Sequence, residues 1–304
     1  MGLLSGAASV TRFTVLACPE EPDFEEYAFR EIPPGGEVRD RAGFVPFEPG
    51  AAYRIGHKRF AFRVRMDALR PDPTAVKERF KELIKAEKES TGAAAIGGRK
   101  RKQLRELAVA EALERATPRA RLTECLLDDK VLYVGSTAST ALSTAMALAQ
   151  AAGIELLWKT PWIDRGEEDV ESELFVPRGP GQAVLGCRFL KALIGDDDVA
   201  LEPEKGKVAL VTPEARVALA GAVTPDLGRF LKRECELLSA RLLWNELAFR
   251  FDAPGFRVAA LHLETERFET FEENLDARME RIVALYELLD AKYEALAPKL
   301  RGQA

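Results

Sequence analysis

The clearest alternation of apolar and polar positions runs over Lys58–Met66. Phe60, Phe62, Val64 and Met66 fall on one face and Arg59, Ala61, Arg63 and Arg65 on the other, the period-two pattern of a half-buried strand with a solvated outer face. Ser9–Ala17 reads as an earlier strand, and Leu122–Leu127 with Lys130–Val134 as a hairpin turning at Asp128-Asp129. Ile154–Thr160, Lys207–Val211, Ala240–Phe251 and Val258–Glu264 read as further strands.

Helical spacing takes over elsewhere. Asp72-Pro73 is a start signal, Asp as N-cap and Pro in the first turn, and Val76, Phe80, Leu83 and Ile84 recur on one face of a helix over Pro73–Glu89. Ser90–Gly98 is a flexible break, and a second helix runs from Arg99 to Ala116, stopped by Pro118. Gly135-Ser136-Thr137 leads, with ordinary side-chain capping, into a helix through Gln150 that Gly153 ends. Thr212-Pro213 predicts another helix start, and a helix follows over about Pro225–Glu236. In the last helix, Phe268–Pro298, Leu275, Met279, Ile282, Tyr286, Leu289, Tyr293 and Leu296 alternate in steps of four and three. That is a narrow seam expected to pack on one partner helix, either within the chain or across a dimer. Gly166–Pro180 reads as a linker.

Composition narrows the class. The 304 residues are 47% hydrophobic and 31% charged, with no stretch near the ~18 consecutive apolar residues a membrane span requires. Residues 1–20 lack the basic start and apolar run of a secretory signal, so a cytoplasmic protein is expected. Cys18, Cys125, Cys187 and Cys235 are scattered without a CxxC pair and read as reduced core residues. His57 and His262 read as strand-end and core residues.

Charge is unevenly distributed. The net value is −5, yet residues 51–122 hold 19 Lys/Arg against 9 Asp/Glu, while the flanking stretches are acidic. A basic block between acidic ones fits a localised anion-binding face. Within it, Arg99, Lys100, Arg101 and Lys102 open a helix, where cations oppose the macrodipole at a few tenths to ~1 kcal/mol each. Binding to a polyanion gives a reason to tolerate that cost, since phosphates at a helix start meet both side chains and free N–H groups. Arg63 and Arg65, at the ~6.5–7 Å spacing of same-face strand residues, are secondary candidates.

Catalytic patterns are weaker. Pro71-Asp72 with Asp128-Asp129-Lys130 matches the outline of a metal-nuclease PD…DxK set, but those carboxylates also suit a helix cap and a hairpin turn. Asp196-Asp197-Asp198 reads as a solvated acidic turn. No metal or other cofactor, and no catalytic residue, is expected. A metal-dependent nuclease and a protein–protein adaptor using the C-terminal heptad helix stand as the alternatives.

The order of Gly43-Phe44-Val45-Pro46, the helix from Asp72-Pro73, the basic run Arg99–Lys102 and the segment Glu114–Ala120 resembles the RdgC family of recombination-associated, nucleoid-bound proteins. The likeness covers roughly two-thirds of the chain and weakens after Trp162. It implies an α+β chain with antiparallel sheets, packed helices, a protruding helical tip and a long C-terminal helix. The corresponding parts are a central domain over residues 1–72 and 119–165, a tip over 73–118 and a base over 166–304. It further implies a ring-forming homodimer that grips double-stranded DNA without sequence preference and restrains RecA-driven recombination; single-stranded DNA stands as a second candidate ligand. Arg119 matches a hole-lining arginine of the family, and Arg99 and Lys100 match its basic pair. Arg121 stands where the family's best-known members carry an aromatic that plugs the partner's pocket.

Overall fold

The computed structural model describes residues 2–33, 38–92, 94–166, 184–203, 205–221, 224–233 and 235–301. In chain order the first elements are β1 (Ala8–Ala17), β2 (Asp40–Val45), β3 (Arg54–Gly56), β4 (Arg59–Ala68), α1 (Pro73–Thr91), α2 (Gly98–Glu114), β5 (Arg119–Asp128), β6 (Val131–Val134), α3 (Ser139–Ala151) and β7 (Glu155–Trp158). There follow α4 (Pro161–Asp164), α5 (Leu185–Ile194), β8 (Ala200–Leu201), β9 (Lys207–Val211), β10 (Arg216–Ala220), α6 (Thr224–Leu231), β11 (Glu236–Trp244), β12 (Leu247–Asp252), β13 (Arg257–Leu261) and α7 (Phe271–Arg301). This is an α+β fold. The chain divides into a larger unit, residues 1–27, 46–63 and 123–304, and a smaller one, residues 28–45 and 64–122. The linker expected over Gly166–Pro180 lies almost wholly outside the described residues.

In the larger unit the strands order as β10-β9-β11-β12-β13-β1-β6-β5-β4, with β3 on β4, β7 on β1 and β8 on β11. β1 organises this sheet: it pairs antiparallel with β13 near Ala8–Val10, with β6 over Thr11–Thr14 and with β7 over Phe13–Ala17. The α7 seam closes the core. Leu275, Met279, Ile282, Tyr286, Leu289 and Tyr293 are all buried, and the Tyr286 hydroxyl donates to Val10 O at 2.7 Å while accepting from Val258 N at 3.2 Å. The seam therefore belongs inside the chain. It packs on β1, β13 and α5 rather than on one partner helix, and Leu285 and Leu300 are buried beside it because a sheet covers a wider stripe than a coiled-coil partner does.

Thr212-Pro213 starts no helix: Thr212 N and Oγ1 close a turn on Ala215, and Arg216–Ala220 returns as β10 against β9. A Thr-Pro pair suits a turn as well as a cap, and the alternating exposure of β10 is the period that decides. Ala240–Phe251 is not one strand but a hairpin, β11 and β12, folded at Asn245 and Glu246, both with positive φ. α5 is a helix the sequence pattern did not single out; Gly186 lets it approach β12's loop, since a Cβ there would collide with the Ala253 carbonyl. α6 ends at Leu231, and Glu236 already begins β11. His57 is exposed at the end of β3 as expected, His262 is exposed and not core, and Cys18 is only partly buried, whereas the other three cysteines are buried. No residue-136 or -137 side chain caps α3; Ser136 Oγ instead accepts from Ala138 N one step earlier.

The smaller unit pairs β2 with the end of β4, supported by a bridge from Ala28 to Phe44 and by Gly43, whose missing Cβ leaves room for the Ala28–Phe29 backbone. α1 and α2 pack side by side. Asp72 caps α1 as expected, its Oδ1 accepting from Thr74 N at 2.9 Å, and Gly92 ends the helix in the left-handed region. The apolar face of α1 is only half-buried; Leu104 and Ala108 are the fully buried residues of α2.

Candidate nucleic-acid interface

The smaller unit gathers the positive charge. It holds 18 Lys/Arg against 12 Asp/Glu, net +6, whereas the larger unit holds 26 against 37, net −11. The basic sequence block maps onto the smaller unit only in part, because its four cations at residues 51–63 belong to the larger unit and are held there by acceptors or aromatic rings.

α2 has Gly97 as its N-cap, with no side-chain cap and no acidic residue in its first turn, where Arg99–Lys102 stand. All four cations are exposed, but they differ in what holds them. Lys100 Nζ pairs with Glu87 of α1 at 3.1 Å, and Lys102 reaches Glu106 of its own helix at 3.9 Å. The Arg101 guanidinium lies 5.8 Å from the Phe80 ring centre. Arg99 has no ion-pair partner among the described residues, and neither do Arg105, Arg115, Arg119 and Arg121. The exposed ion pairs contribute at most ~1 kcal/mol, so a phosphate competes for these lysines at little cost.

Arg63 and Arg65 do not form the solvated outer face that the alternation predicts. In the larger unit Arg63 donates to Phe47 O at 2.6 Å and to Glu124 at 3.3 Å, and its guanidinium stacks 4.9 Å from the Phe47 ring. Its strand neighbour Ala61 is buried at 1% exposure, so β4 is covered on both faces there. In the smaller unit Arg65 forks onto buried Asp67 at 2.9 and 2.8 Å, a hydrogen bond that raises its pKa above the ordinary arginine value, and it stacks on Phe29. Both arginines already have carboxylate partners, whereas Arg119 is exposed and has none.

Sequence reasoning passed over two groups. Lys77, Lys81, Lys85 and Lys88 are all exposed along α1, at the four- and three-residue steps that put them on one helix face. The same periodicity that located the apolar face would have found them. Arg70, Arg79 and Arg115 meet Arg119 around a single cavity of about 340 Å³. Their convergence from β4's end, α1 and α2 has no linear signal.

The carboxylates of the nuclease-like pattern are engaged locally: Asp72 caps α1, Asp128 pairs with Arg59 at 3.3 Å, and Asp129 sits at the hairpin turn beside Lys58. Asp196 and Asp198 hold Lys292 at 2.8 and 3.3 Å. The described residues contain no group of three or more His, Cys, Asp or Glu placed to hold a metal. No helix among them is long and apolar enough to cross a membrane. No protein-family model matches the chain, and no curated protein matches it.

Proposed function

We propose that the chain binds double-stranded DNA without sequence preference through the cations of its smaller unit, and carries out no catalytic step. The partition of charge, net +6 in that unit against −11 in the other, is the observation that supports this most. A face of this kind neutralises phosphates and reads no base edges. Arg99, Lys100, Arg101, Lys102 and Arg119 make the first contacts, the α1 lysines extend the track, Arg65 contributes least, and Arg63, in the larger unit, falls outside this face.

The resemblance in residue order adds the finer reading: a ring-forming homodimer in the cytoplasm, associated with the nucleoid, that modulates RecA-type strand exchange. Single strands bind the same cations more weakly in this reading.

A duplex-retardation titration across salt concentrations tests the core of it. Five phosphate contacts give a slope of log K against log[salt] of about −4 to −5. Absence of retardation at low salt overturns the proposal, and leaves the adaptor reading. Cleavage of plasmid in Mg²⁺ or Mn²⁺ overturns the non-catalytic part and favours the nuclease.

A further inference from the structure

We propose that the arginine-lined cavity of the smaller unit is a binding site for a terminal phosphate group, a phosphomonoester dianion. The site shares Arg119 with the proposed duplex-binding face but otherwise rests on different residues.

The cavity, about 340 Å³, is lined by four arginines, Arg70, Arg79, Arg115 and Arg119, and by two carboxylates, Asp72 and Glu111. Both carboxylates have local partners. Asp72 Oδ1 accepts from Thr74 N at 2.9 Å, and Glu111 takes both Nε and a terminal nitrogen of Arg79. Arg79 is occupied too, since its remaining nitrogen donates to Glu82 at 3.0 Å. These hydrogen bonds hold Arg79 above and Glu111 below their ordinary pKa values, so both stay ionised at any working pH.

What remains is a surplus. Arg115 and Arg119 have no ion-pair partner among the described residues, and Arg70 has only Asp40 at 3.9 Å. Arg115 and Arg119 therefore line one concavity without an ion-pair partner, and Arg70 beside them is held only loosely. Planar forks match phosphate oxygens two at a time, which a lysine cluster does not. Arg115 and Arg119, the two arginines of the lining without an ion-pair partner among the described residues, bring two positive charges to meet a dianion. Shape separates the cases as well: a duplex backbone is continuous on both sides of each phosphate and runs past a concavity this small, whereas a terminal phosphate enters it. The group has two possible sources, the 5′ end of a DNA strand or a free phosphorylated metabolite.

The test is calorimetric titration of the full chain with inorganic phosphate, adenosine 5′-monophosphate and adenosine. The first two bind at one site per chain and adenosine does not. Arg115→Ala and Arg119→Ala, both at exposed positions, each weaken binding about tenfold, the loss expected for a charged hydrogen-bonding fork. Arg115→Lys recovers only part of it, while Lys102→Ala leaves it unchanged. Equal binding by wild type and both arginine variants, or no binding of either phosphate, overturns the proposal. A second arm compares short duplexes with 5′-phosphate and 5′-hydroxyl ends: a preference of about fivefold identifies the strand end as the source, and no preference identifies the free monoester. If duplex binding itself fails, the monophosphate titration still decides this site. If duplex binding holds, replacing Arg99–Lys102 by Ala lowers affinity for both duplexes without changing their ratio.

Discussion

Arg12 of β1 and Asp290 of α7, 278 residues apart, form a two-pronged ion pair, with both guanidinium terminal nitrogens 2.8 Å from the two carboxylate oxygens. The Arg12 side chain is 5% exposed and lies 4.0 Å from the Tyr286 ring centre. Burial works against its charge, yet the hydrogen bonds and charge of Asp290 raise its pKa above the ordinary value. Removing the carboxylate strands a buried cation, so Asp290→Ala is expected to lower unfolding free energy by about 3–5 kcal/mol in urea titration. Replacing both residues together by Met and Leu recovers most of that loss. A single variant as stable as wild type would show that water already solvates Arg12.

The α7 seam gives a graded comparison. Leu289 is completely buried, whereas Leu296, on the same seam, is half-buried. Leu289→Ala should cost about 2–5 kcal/mol, and Leu296→Ala clearly less. Independence of both losses from protein concentration is the signature of a seam packed within one chain.

The hairpin between β11 and β12 leaves strain to be relieved. Glu246 adopts φ 65, which a side chain disfavours, at the second turn position after Asn245 at φ 46. Glu246→Gly makes the Asn-Gly pair such turns favour and should raise stability by about 0.5–1 kcal/mol in thermal unfolding. A lowered melting temperature would mean that the Glu246 side chain contributes more than its backbone costs.

Asp196 supplies a pH dependence. Its hydrogen bond to Lys292 holds the carboxyl below the ordinary aspartate value. A depressed folded-state pKa contributes stability that is complete above the unfolded value, about 3.9, and is lost as pH falls through the folded one. Asp196→Asn is therefore less stable than wild type at pH 7, and the two converge once the pH has fallen through the folded-state value. A difference that persists unchanged into acid would assign the effect to packing instead of charge.

On the proposed DNA face, partnered and unpartnered cations should differ. Lys100 is tied to Glu87, so Glu87→Gln frees it and is expected to raise duplex affinity about two- to threefold at low salt. Arg99→Ala should reduce the salt slope by about one unit and Arg65→Ala hardly at all, because Asp67 already neutralises Arg65. Retardation of labelled duplex at several salt concentrations reads all three. Equal slopes for the Arg99 and Arg65 variants would remove the α2 start from the face.

The chain alone determined the elements whose signals are local. Asp72-Pro73 starts α1 through a hydrogen bond to a neighbour two residues away, though the helix runs on to Thr91 instead of stopping at Glu89, and the steps of four and three from Leu275 to Tyr293 mark α7, because one face of a helix repeats whatever it packs on. The surplus of cations after residue 51 was equally plain. Tertiary structure decided which of those cations remain available. Arg63 meets Glu124 and Arg59 meets Asp276, partners 61 and 217 residues distant, so an exposed-looking strand face is partly neutralised by groups that nothing nearby in sequence announces. It also decided what α7 covers, and it brought Arg70, Arg115 and Arg119 to one cavity. Electrostatic and apolar contacts act through space over a few ångströms, and distance along the chain carries no record of that approach.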